Sequence, residues 1–170
     1  MKEAALELNY WCFENATYRQ TDDRTANPLT VLRCAYGRCG EESTFATTAF
    51  RSVGIPTRQI YTPRWPHCDD NHAWIEVWCD GDWHYLGACE PEEVLDKGWF
   101  TAAASRAMII HSRMFSDYVE NEEIVTHEGL TTVCNELFRY ADKQTFSIRV
   151  TENGKPLSGV SLRIELLNYS

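Results

Sequence analysis

The chain has 170 residues, of which 44% are hydrophobic and 24% charged, with a net charge of −9; this fits one globular domain, or one domain plus part of another. The negative balance, without a basic stripe, excludes nucleic acid as the expected partner, and no apolar run is long enough to span a bilayer. Seven cysteines at irregular spacings, with no C-x-x-C pair, exclude a small disulfide scaffold and leave the redox compartment open.

The start, Met1-Lys2-Glu3-Ala4-Ala5-Leu6-Glu7, has no apolar signal-peptide core and reads as the opening of a helix. Residues 3–18 carry Ala5, Leu6, Leu8, Trp11 and Cys12 at intervals that give a helix one buried side. Residues 19–29 are polar and read as a loop, and Pro28 opens a short helix through Leu29, Val31 and Leu32. After Gly37-Arg38-Cys39-Gly40-Glu41-Glu42, residues 43–53 place Phe45, Ala46, Ala49, Phe50 and Val53 on one helical stripe. Gly54 and Pro56 stop it. Residues 57–62 and 73–79 then read as strands, rich in aromatic and β-branched side chains. Asp80-Gly81 is a hairpin turn signal, and residues 83–86 form the return strand. A further strand is expected within 105–116 around Met108-Ile109-Ile110, and the acidic residues 117–129 read as loop. Residues 145–150 and 160–167 read as two strands flanking a turn at 153–159. We therefore expect a first unit over 1–130 and a C-terminal β segment over 131–170.

A thiol attacks a carbonyl as its thiolate, which a helix N-terminus and a nearby imidazolium favour. Cys39 lies at or just before such an N-terminus, and Gly37 and Gly40 leave room for a substrate backbone. His72 opens the strand His72-Ala73-Trp74-Ile75-Glu76-Val77 and has the proton affinity of a general base. Glu41 and Glu42 favour the helix N-terminus by the macrodipole but oppose a thiolate. Trp65 and His67 lie in the loop before His72, where they line a substrate groove or pack the loop.

These segments together resemble the transglutaminase-like superfamily: Gly37-Arg38-Cys39-Gly40-Glu41, a striped helix, Gly54-Ile55-Pro56-Thr57-Arg58, then His72-Ala73-Trp74. The resemblance covers roughly residues 28–91 and implies a papain-like α+β fold, with the cysteine-bearing helix packed on an antiparallel sheet. It implies acyl transfer on amide bonds of a protein or peptide, as in cross-linkers, cysteine proteases and amidases, although some members have lost catalysis. Cys39 would be the nucleophile, His72 the base, and Trp65, Trp74 and Gly40 would meet the substrate. The family's acid is an Asp on the strand after the hairpin. With Asp80-Gly81 as a two-residue turn, partners sum to 161, which sets Trp74 opposite Gly87 and Cys89 opposite His72. The Asp would fall near Gly87, where this chain has none. Glu90 is the substitute acid; its parity is wrong for a regular strand, so a bulge at Gly87 or the longer side chain must supply the reach.

The resemblance needs no cofactor, and no loop has calcium-ligand spacing. The tail is similar to the opening of carboxypeptidase regulatory-like β modules, which suggests a larger bacterial cell-surface or secreted protein. Hydrolysis is expected over cross-linking, because water is the default acyl acceptor. Two rivals stand beside this reading: a zinc site drawn from Cys34, Cys39, His67, Cys68 and His72, which lacks close ligand pairs, and an inactive module that binds an extended peptide or glycan.

Overall fold

In the computed structural model, residues 1–21, 24–116, 123–142 and 146–163 are described. Helix α1 (Lys2–Asn15) buries Ala5, Asn9 and Cys12 on one side. A short parallel pair, β1 (Thr17–Tyr18) with β2 (Tyr36–Gly37), flanks α2 (Pro28–Cys34), whose Asn27 cap accepts a hydrogen bond from the Thr30 N–H at 3.0 Å. Helix α3 runs from Cys39 to Ser52, so it begins four residues before the apolar stripe suggested. The carboxylate of Glu41 is the reason: it accepts from the Arg38 N–H at 3.0 Å, the Ala26 N–H at 2.8 Å and the Thr21 hydroxyl at 2.6 Å. It caps the helix and ties the polar loop to it.

The sheet is built from β3 (Thr57–Thr62), β4 (His72–Cys79), β5 (Asp82–Leu86), β6 (His111–Met114), β7 (Glu123–Glu128) and β8 (Thr131–Asn135), in the order β5-β4-β3-β6-β8-β7. All five pairings are antiparallel. Alternation splits the interior in two. Ile75, Val77, Cys79 and Leu86 face α1 and α3, packing with Ala5, Cys12, Phe45 and Phe50. Ile60 and Trp74 face the other way and pack with Trp65, Phe100, Ala104, Ala107 and Ile110 around the short helix α4 (Thr101–Ala104).

Several expectations change. Met108-Ile109-Ile110 precede β6 rather than form it. Residues 123–128 are an edge strand and not loop; β8 supplies the backbone partners, and the acidic side chains stay in solvent. Residues 117–122 lie outside the described residues. Because β8 pairs with β6 inside the sheet, the division at residue 130 runs through one sheet. Beyond it, residues 146–150 form no strand; the turn at Asn153-Gly154 (φ 50° and 77°) instead joins β9 (Thr151–Glu152) to β10 (Lys155–Pro156). Residues 160–163 are likewise not strand, and the remainder of the expected 160–167 strand lies outside the described residues.

One polar cluster crosses the second interior. The Arg58 guanidinium meets Glu76 at 2.8 Å and Glu136 at 2.7 Å, and all three are buried. The Ser112 and Tyr140 hydroxyls donate to Glu136 and Glu76, and the guanidinium lies over the Trp83 ring at 4.3 Å. Replacing Arg58 with Met removes the cation that two buried carboxylates share, leaving Glu76 with Tyr140 and Glu136 with Ser112 and Arg139, and the expected loss is about 3–5 kcal/mol of stability. The measurement is the urea midpoint at constant slope; an unmoved midpoint overturns the assignment.

Candidate active site

Cys39 is the first residue of α3 and is partly exposed. The backbone groups of Gly40 and Ala73 lie close enough to its thiol to favour the thiolate. Ala73 follows His72 at the start of β4, so the helix N-terminus and the His72 end of the sheet are stitched together at the thiol. Gln59 on β3 reinforces this seam, donating to the Gly40 carbonyl at 3.0 Å and to the Ser43 hydroxyl at 2.7 Å. A Cβ at Gly40 would meet nothing within 4 Å, so the space over that first turn is open to a ligand.

His72 is 5% exposed, opposite Thr62 on β3. Aromatic rings surround it: Trp99 at 4.7 Å, Phe100 at 4.9 Å, Trp74 at 5.7 Å and Trp65 at 6.3 Å between centroids. Trp65 and Trp74 are themselves 3% and 0% exposed and stack at 2°. They are therefore not the walls of an open groove; they belong to the second interior and back the imidazole. The Trp74 N–H is used inside, on the Tyr140 hydroxyl at 2.9 Å.

The β4–β5 register has the expected sum: Ile75 faces Leu86 and Trp78 faces Trp83. The ladder then stops at Leu86. No bulge forms at Gly87; residues 87–90 make a turn closed by the Glu90 N–H on the Gly87 carbonyl at 3.1 Å, with Cys89 at φ 59°. Cys89 therefore does not stand opposite His72 and contacts Cys12 of α1 instead. The turn folds the Glu90 side chain back over Gly87, where a Cβ would collide with the carboxylate and lie 2.9 Å from the Glu90 Cβ. Glu90 thus fills the volume that a side chain at position 87 would enter, on the face shared with His72 and Trp74. Both its carboxylate oxygens accept from the Trp99 indole N–H at 3.1 Å. Among the described residues, Nε2 of His72 has no hydrogen-bond partner.

Two residues escaped the sequence reading, and a third, Glu42, is more buried than its place on the first turn suggested. Trp99 joins Glu90 to His72. Asn9, fully buried in α1, holds the 87–90 turn: its amide donates to the carbonyls of Gly87 (2.9 Å) and Glu90 (3.2 Å), and its oxygen accepts from the Cys89 N–H (3.1 Å). Glu42 lies one helical turn from Cys39 and is 3% exposed. The sequence reading set it at the helix N-terminus as a charge opposed to a thiolate, and its burial is what the structure adds.

Burial sets the protonation of the group. It pushes the Cys39 thiol up, against the two backbone groups, with Glu42 and Asp70 adding to the rise. It pushes His72 down to about 4, against the nearby Asp70. Glu42 is pushed up to about 8 by burial and by Glu90 and Glu41. Glu90 is raised by burial, with the Trp99 bond opposing. Burial alone would raise Glu41 too, but its three donors hold it below the usual range. The resting pair is thus a neutral thiol and a neutral imidazole rather than the ion pair a helix N-terminus suggests. Among the described residues, no three His, Cys, Asp or Glu side chains are arranged to hold a metal, and no helix is long and apolar enough to cross a membrane.

A cysteine on the first turn of a helix, packed on an antiparallel sheet whose strand opens with a histidine, defines a papain-like α+β arrangement. The sequence profile of the transglutaminase-like superfamily matches residues 1–88, and the chain belongs to that superfamily. Solved structures similar to it include LapG of Legionella pneumophila (16% identity, 55% of this chain and 56% of that one, TM-score 0.44) and its calcium-bound form (16%, 71% and 66%, 0.49). A candidate cysteine protease from Cytophaga hutchinsonii is also similar (19%, 78% and 51%, 0.43). The chain thus spans about half the length of LapG and of the Cytophaga protein. No curated protein matches it.

A raised thiol pKa means less thiolate at neutral pH than a free cysteine holds. Alkylation of Cys39 by iodoacetamide, followed by peptide mapping, is therefore expected to accelerate about tenfold per pH unit from about pH 6 to about pH 8. A rate that is flat over that range would reveal a preformed ion pair and overturn the neutral assignment.

Proposed function

We propose that the protein is a cysteine hydrolase that cleaves amide bonds of a protein or peptide by acyl transfer through Cys39, His72 and Glu90. The observation that carries this reading is the seam at the thiol: Cys39 is the first residue of α3, Gln59 of β3 ties that first turn to the sheet, and His72 opens the neighbouring strand β4, whose Ala73 backbone favours the thiolate. Because thiol and imidazole rest neutral, His72 takes the thiol proton as the sulfur attacks the carbonyl. The Cys39 N–H, one of the helix's unpaired first-turn donors, faces the developing oxyanion. The imidazolium, stabilised by the Glu90 carboxylate, then protonates the leaving amine. His72 next activates water against the thioester, and the acid is released.

Hydrolysis is favoured over cross-linking because water is the default acyl acceptor unless a site excludes it and binds an amine instead. A second reading, an inactive module that binds an extended peptide, draws on the bond of Glu90 to Trp99. The same proposal takes residues 146–163, with their β9–β10 hairpin, as the opening of a separate β module of a cell-surface or secreted protein.

Dye-labelled casein and an unlabelled peptide mixture test the reaction, with a dansylated alkylamine as competing acceptor. Release of fragments is expected to exceed amine incorporation, to vanish in Cys39→Ala, and to fall about 10²–10⁴-fold in His72→Ala. Equal behaviour of the wild type and Cys39→Ala, with peptide binding retained, would establish the binding module instead.

A further inference from the structure

Trp99 stands apart from the aromatic residues around it. Phe100 and Trp74 are 0% exposed and Trp65 is 3% exposed, whereas Trp99 is 64% exposed. Its ring nevertheless packs on His72 at 4.7 Å and edge-on against Phe100 at 5.8 Å. Its one N–H is spent on both oxygens of Glu90, while the buried Nε2 of His72 is left without a partner among the described residues. This is an unfavourable division of donors and acceptors. An orphaned buried nitrogen costs about 1–3 kcal/mol, and the carboxylate that could satisfy it is held by a neutral indole.

The arrangement is stable only while Trp99 stays in place, and an exposed indole face is a surface on which an extended chain packs well. No backbone strain holds it there, since Trp99 has no positive φ. The indole that binds the carboxylate also covers the His72 ring, so a carboxylate freed by its movement is offered to the unpartnered Nε2 of His72. A bond there fixes the tautomer in which Nδ1 is the base.

We propose that Trp99 is a substrate-operated latch: in the free protein its indole N–H occupies the Glu90 carboxylate in place of His72, and an acyl-donor peptide packing on the exposed indole face displaces it and passes the carboxylate to His72. Trp99 acts through Glu90 and is a positioning residue. The inference rests on the reading of Cys39, His72 and Glu90 as the reacting centre. The charges facing these groups are Asp70 toward His72, Glu42 of α3 toward Glu90, and Glu92 from the following loop toward Glu90; none of them is changed in the test.

Trp99→Phe keeps an aromatic ring against His72 and removes the donor; the exposed position favours an intact fold, checked by an unchanged thermal midpoint. The readout is the titration of the His72 ring nitrogens by NMR in the ligand-free protein, assigned with His72→Ala. In Trp99→Phe the His72 midpoint is expected to rise by roughly 1–3 pH units, the effect of a carboxylate reaching an imidazole. In Trp99→Phe/Glu90→Gln the rise is expected to disappear. An unchanged midpoint in Trp99→Phe overturns the latch, and so does a rise that persists without the Glu90 carboxylate. The titration needs no turnover, so failure of the hydrolase reading and failure of the latch are separate results.

Discussion

Everything on the second face of the sheet depends on one buried cation. Arg58 of β3 holds Glu76 of β4 and Glu136 just beyond β8, and it is covered by Trp83 of β5. Ser112 of β6 also binds Glu136, so five strands or their ends meet in one cluster. The desolvation of these charges is offset only by close, multiple hydrogen bonds. The cluster ties these strands together through one shared cation. Its outer members carry the constraint to the site. Tyr140 binds Glu76 and accepts from Trp74, and Trp74 stacks on His72. The imidazole thus sits at the end of a chain of contacts anchored on Arg58.

The site itself is organised around suppressed charge. Cys39, Glu42 and Glu90 are raised and His72 is lowered, and burial is the first cause in each case. A protonated Glu42 keeps a full negative charge away from the sulfur, which would otherwise resist forming a thiolate. In a chain of net charge −9 this local neutrality is an achievement of packing, because the nearest fixed charges are themselves carboxylates. The developing charges of an acyl transfer would appear where few competing ones exist, and in a low-dielectric setting they are stabilised strongly by whatever donors are already aimed at them.

How much of this could be read beforehand follows the range of each interaction. The Asp80-Gly81 turn sets the β4–β5 register locally, and the pairing of Ile75 with Leu86 came directly from it. The stripe on α3 and the place of Cys39 at its start were legible too, but the bonds of Glu41 to Thr21 and Ala26 that secure the first turn were not, because pattern alone does not couple them. Extrapolating the ladder to Cys89 failed at a left-handed residue that is not glycine. The result was still a carboxylate above Gly87, reached by a turn in place of a bulge. Trp65 and Trp74 read as residues that meet the substrate, with loop packing the other reading of Trp65, because sequence does not reveal which side of a two-faced sheet is covered. Trp99 and Asn9 carry no local signal: one is an aromatic in a loop, the other a polar residue in a helix, and each matters only through partners far away in the chain or across the fold.

Asn9 also sets an order of events. Its bonds to the 87–90 turn close separations of 78 to 81 residues. During synthesis α1 leaves the ribosome first, yet its buried amide has no partner until residue 90 follows, several seconds later at about 5–20 residues per second. The turn bearing Glu90, in turn, has no rigid seat until the first helix docks. The turn bearing Glu90 and the helix that steadies it therefore mature together as one of the last long-range closures of this region, and a nascent chain that has already formed its hairpin and its Cys39 helix still lacks a settled 87–90 turn.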